Sequence, residues 1–92
     1  MTLVWTDDAR DDLRTVLEGH RAYSTAHALR LERGVDGAVA RLVTFPRSGR
    51  VVSEWEQNEL REMIVERFRL IYRAVGDPVA ILTLHPTAIP LG

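Results

Sequence analysis

The chain has no cysteine and no lysine; all twelve of its basic residues are arginine. The missing cysteine excludes disulfides, a thiolate nucleophile and any zinc site built on sulfur. No basic segment followed by an apolar run opens the chain, and no stretch approaches the eighteen or so apolar residues of a membrane span. A soluble cytoplasmic domain is expected. Basic excess is missing too: twelve arginines stand against thirteen acidic residues, for a formal charge of -1. A protein built to hold polyanions relies on a basic surplus, because affinity for phosphate chains is largely electrostatic. Ninety-two residues make one domain, 1–92, with room for a single core.

What is present is strong patterning. LVW at 3–5 reads as a short strand. Thr6 suits an N-cap, with Asp7 and Asp8 at the positive end of the helix dipole. Ala9, Leu13, Val16, Leu17 and His20 recur at helical spacing, predicting an amphipathic helix over 7–21. Ser24 is placed to cap a second helix whose apolar stripe runs Ala28, Leu31, Val35, Ala38, Val39 and Leu42. Gly34 and Gly37 weaken that helix by roughly 1 kcal/mol each relative to alanine, so tertiary packing must hold it.

Pro46 and Gly49 in FPRSGR end the helical half. VVS at 51–53, LREMIVE at 60–66, FRLIYRAV at 68–75 and VAILTL at 79–84 read as strands, with a turn at GDP, 76–78. VAILTL is the most continuously apolar and is expected inside the sheet; the tail after His85 is expected to be irregular. The order predicts an α+β fold: an N-terminal strand and an antiparallel helical hairpin packed on one face of a mostly antiparallel three- to four-stranded sheet.

The segment 68–75 carries a second message. Phe68, Leu70, Tyr72 and Ala74 point one way; Arg69, Ile71, Arg73 and Val75 point the other. No remaining element is available to cover that second, arginine–apolar face, so it is expected to be a partner interface. Trp55, among polar residues, is assigned either to a sheet edge or to a partner.

Other clusters carry little. Asp7, Asp8, Asp11 and Asp12 surround a helix start without an oxygen-rich loop, so no metal is expected. His20 and His27 lie on the helices without an acidic partner at metal-binding spacing. Glu62 and Glu66 balance Arg61, Arg67 and Arg69. No glycine-rich phosphate loop is present, and no cofactor is expected.

VWTDDARDDL, RLVTFPRSGR and LREMIVERFRLIYRAV…VAILTLH, in this order across nearly the whole chain, resemble the RelE/ParE superfamily of type II toxin–antitoxin toxins, and its ParE branch in particular. The resemblance implies a toxin that inhibits DNA gyrase by protein–protein contact, serving growth inhibition or plasmid stabilisation. It implies a cognate antitoxin from the adjacent gene that wraps the toxin, with a higher-order complex available to the pair. Arg61, Arg67, Arg69, Ile71 and Arg73 are the residues expected to meet the antitoxin, through several arginine–carboxylate pairings. No direct nucleic-acid binding by the isolated chain is expected.

RelE-like relatives instead cut mRNA on the ribosome. The positions matching their sheet lysines fall around Glu62 and Ile64. Only Arg69 and His85 remain as nuclease candidates, and Tyr72 is expected to face the helices. The arginine that commonly follows three residues after the histidine in the ParE pattern is Ala88 here. The alternatives are therefore a RelE-type endoribonuclease, or an attenuated toxin that works with its antitoxin in operon repression.

Overall fold

A computed structural model describes residues 2–55 and 59–91. The elements are β1 (Leu3–Trp5), α1 (Asp7–Tyr23), α2 (Thr25–Thr44), β2 (Arg50–Val51), β3 (Leu60–Val65), β4 (Phe68–Arg73) and β5 (Val79–Pro86). They form the expected α+β domain. One sheet runs β1-β5-β4-β3-β2, antiparallel except where β1 lies parallel to β5. No helix among the described residues is long and apolar enough to cross a membrane.

Local chemistry sets the helix boundaries. The Thr6 hydroxyl accepts from the Ala9 amide at 3.2 Å, capping α1, and donates to the Ile81 carbonyl at 2.9 Å, tying that cap to β5. Ser24 serves both helices. Its amide donates to the His20 carbonyl at 2.7 Å, and its hydroxyl accepts from the His27 amide at 3.2 Å. A single residue thus closes α1 and opens α2.

The main core joins the helix stripes to one sheet face. Leu31, Val35 and Leu42 meet Leu70, Tyr72, Val79 and Ile81, all buried. The close approach explains Gly34. A Cβ there would sit 2.8 Å from Val65 Cγ1, so only glycine lets α2 lie this near β3.

β5 sits between β1 and β4, inside the sheet as expected. Its pairing slips once. Ile71 lies opposite Thr83, but Tyr72 lies opposite Ile81, so Leu82 is an extra residue. The bulge lets Ile81 join the main core while Leu82 packs on the opposite face.

That opposite face corrects the expectation of an uncovered surface. Val52, Leu60 and Ile71 form a second buried cluster, with Trp55, Leu82 and Leu91 packed against it. The expected strand at 51–53 stops at Val51, and the chain then crosses onto this face. Trp55 is therefore a cover for the second cluster. Of the polar residues 54–59 around it, 56–58 lie outside the described residues.

Candidate functional site: a charged cluster and two open pockets

Alternation along β3 and β4 places Glu62 and Arg69 on the second face, and both are drawn inward. Glu62 is only 3% exposed. Its carboxylate accepts from Arg50 Nε at 2.7 Å and from Arg69 Nε at 2.8 Å. Arg69, 12% exposed, also donates through both terminal nitrogens to Glu54, at 2.7 and 2.9 Å. Two arginines and two carboxylates thus form a neutral, closed set. These hydrogen bonds from Arg69 hold the Glu54 carboxyl down at about 2. The Glu54 and Glu62 carboxylates push the Arg69 guanidinium up in return.

The five residues expected to meet an antitoxin do not make one surface. Arg61 lies on the helix side, opposite Tyr72, and its terminal nitrogen donates to the Arg47 and Gly49 carbonyls at 3.2 and 2.9 Å. It braces the loop that ends the helical half. Gly49 is fixed there as well: its amide donates to the Tyr72 hydroxyl at 2.9 Å, and burial pushes the Tyr72 phenol up. Arg67 is exposed in the β3–β4 turn. Glu66, expected within a strand, stands in that turn at φ 54. Arg69 is held in the charged cluster, Ile71 is fully buried beneath the second-face cover, and Arg73 is exposed at the end of β4.

The two nuclease candidates are brought together, since Arg69 and His85 are cross-strand partners. Both are engaged within the chain. His85 Nε2 lies 2.7 Å from the Ile89 carbonyl, and Arg69 is held by its two carboxylates. Tyr72 faces the helices, as expected, inside the main core.

Two open pockets went unnoticed in the sequence. A groove of about 910 Å³ is lined by Arg41, Phe45, Pro46, Arg47, Ala74 and Gly76, among others. Phe45 is 62% exposed beside it. Among the described residues, the only acidic side chain lining the groove, Asp77, is occupied by the amide and hydroxyl of Thr2. The second pocket, at the α1–α2 junction, is lined by His20, Tyr23, His27, Arg30 and Arg67 together with Leu31, Glu66 and Phe68. The signal for the groove was the FPR sequence, whose phenylalanine directly precedes the helix-ending proline and stands at the C-cap of α2, just beyond the helix.

A solved structure of the chromosomal ParDE TA system from P. aeruginosa shares this fold. It superposes with a TM-score of 0.74 over 94% of this chain and 95% of that one, at 22% identity. That likeness defines the fold class, a small α+β domain with a helical pair on a mostly antiparallel sheet. The family described as the ParE toxin of the type II toxin–antitoxin system, parDE, matches residues 3–88, and the chain belongs to it. No curated protein matches significantly.

Proposed function

We propose that this chain inhibits DNA gyrase by protein–protein contact and is neutralised by a cognate antitoxin encoded beside it. Membership of the ParE family supports the toxin role. The observation that carries the antitoxin reading is the Phe45 groove, an apolar channel flanked by Arg41 and Arg47 with its one carboxylate already engaged. Such a surface fits an amphipathic acidic segment, whose apolar side chains would bury against Phe45 and Ala74 while its carboxylates meet the arginines. Arg73, adjoining Ala74, and Arg67 are exposed for further pairings. Ile71 is reached only if its cover, Trp55 and Leu91 included, lifts away.

A ribosome-dependent nuclease is the second reading, favoured by the Arg69–His85 adjacency. The intrachain engagement of both residues weighs against it. Metal-free RNA cleavage needs groups free to relieve phosphorane charge and move protons.

The deciding experiment is gyrase supercoiling with purified protein, with and without antitoxin. Antitoxin-reversible inhibition is expected, and Phe45→Asp should weaken antitoxin binding while leaving the fold intact. Ribosome-dependent mRNA cleavage abolished by Arg69→Ala, without any effect on gyrase, would establish the nuclease reading instead. Antitoxin binding without toxicity would establish the attenuated one.

A further inference from the structure

The pocket at the α1–α2 junction has a rim, His20, Tyr23, His27 and Arg30, that neither the core nor the proposed toxin activity uses. Its floor is Leu31 and Phe68, both buried. The His20 ring stands 6.0 Å from Phe68 and 6.4 Å from His27, and Tyr23 lies 5.7 Å from His27. Packing against Phe68 accounts for His20. It does not account for Tyr23, which is 70% exposed, nor for the convergence of Arg30 and Arg67 from α2 and the β3–β4 turn.

The electrostatics have a definite sign. Arg30 and Arg67 contribute two positive charges to the pocket and Glu66 one negative, leaving +1 with both imidazoles neutral. Neither arginine forms a salt bridge among the described residues. Guanidinium groups and imidazoles are donors suited to phosphate oxygens, and an exposed phenol ring offers a stacking face. The pocket volume of about 360 Å³ is that of a small-ligand site. No group of three or more metal-ligating side chains occurs among the described residues.

We propose that this pocket binds a nucleoside 5′-monophosphate. The phosphate is held by Arg30, Arg67 and His27, and the base stacks on Tyr23. Glu66 opposes the phosphate and limits its affinity. The same chemistry is offered by a free nucleotide and by the phosphorylated 5′ end of an oligonucleotide.

The test is a titration of the whole chain with AMP, adenosine and inorganic phosphate, followed by backbone and arginine Nε–H chemical shifts. AMP should saturate, with the largest shifts at Tyr23, His27, Arg30 and Arg67. Adenosine should bind at least about tenfold more weakly, as expected when charge-assisted hydrogen bonds are lost. His27→Gln and Arg67→Gln, both at exposed positions, should each weaken AMP about tenfold, whereas Glu66→Gln should tighten it. Oligonucleotides with 5′-phosphate and 5′-hydroxyl ends separate the two sources: binding of AMP alone assigns the free nucleotide, and binding of only the phosphorylated oligonucleotide with AMP assigns the chain end. Equal binding of adenosine and AMP, no saturable AMP binding, or variants that bind as wild type would each overturn the proposal. It stands apart from the gyrase reading, and neither result decides the other.

Discussion

Glu62 and Arg69 stand diagonally across the β3–β4 pair, joined by an Arg69 Nε–Glu62 hydrogen bond of 2.8 Å, and both are nearly closed off from solvent. A buried ion pair returns little net stability over an apolar pair, but losing one partner strands the other. Glu62→Gln is therefore expected to destabilise the fold by about 3 kcal/mol, since the amide removes the buried negative charge and turns an NH2 donor toward Arg50 or Arg69 in place of an acceptor oxygen. Replacing both members, as Glu62→Leu with Arg69→Met, should cost less than the sum of the single changes. Urea unfolding midpoints measure this, and strict additivity would show that the pair is not coupled.

Glu54 gives the same cluster a pH dependence. Its carboxyl is held at about 2 in the fold by Arg69, against an ordinary value of 4.5. A depressed carboxyl stabilises the fold above its unfolded value and loses that contribution as pH falls through the folded one. The melting temperature should therefore decline between about pH 5 and about pH 2 more steeply in the wild type than in Glu54→Gln. Because the Glu54 side chain is partly exposed, added salt should shrink the difference. Parallel pH profiles at low salt would rule the contribution out.

Two glycines three residues apart on α2 should respond in opposite senses to the same change. A Cβ on Gly37 meets nothing within 4 Å, so Gly37→Ala should stabilise the protein by about 0.5–1 kcal/mol through helix propensity. A Cβ on Gly34 would press on Val65, whose branched side chain has little freedom to move aside. Gly34→Ala should therefore destabilise, and Val65→Ala in that background should recover part of the loss. Thermal melts of the four proteins test this; a stabilising Gly34→Ala would show that the helix can shift away from the sheet.

The elements were legible because each carries its own period. The 3.6-residue stripes on 7–21 and 28–42, and the two-residue alternation on 68–75, are properties of contiguous residues. The second face was not legible, because its cover comes from stretches with no period: Val52, Trp55 and Leu91. Alternation correctly separated Ile71 from Tyr72, but it could not reveal that Ile71 is buried too. Glu62 was misleading for a related reason. A glutamate in a strand normally reads as solvated, and only Arg50 and Arg69, brought in from neighbouring strands, permit its burial. By sequence alone Asp12 is one of four aspartates around a helix start. Its carboxylate also accepts from the Thr83 hydroxyl at 2.6 Å and the Leu84 amide at 3.1 Å, across more than seventy residues that no local pattern links.

The same non-periodic cover supplies the last prediction. Leu91 packs on the Val52, Leu60 and Ile71 cluster, and the Ile89 carbonyl lies 2.7 Å from His85 Nε2. Ending the chain after Thr87 removes both contacts but keeps the Thr87 amide on the Arg67 carbonyl, at 2.9 Å, so β5 retains its anchor. The truncated protein should fold with the same helix and sheet content, yet lose stability by about 1–3 kcal/mol, the scale of burying one large apolar side chain. It should also bind more of a hydrophobic dye than the full chain, because Leu91 no longer covers its side of the Val52, Leu60 and Ile71 cluster. If antitoxin contacts Ile71, the truncated chain should bind antitoxin more tightly, since the segment no longer has to be displaced. Titration of both proteins with antitoxin decides this: equal affinities would place the antitoxin elsewhere and leave the tail with a purely structural task.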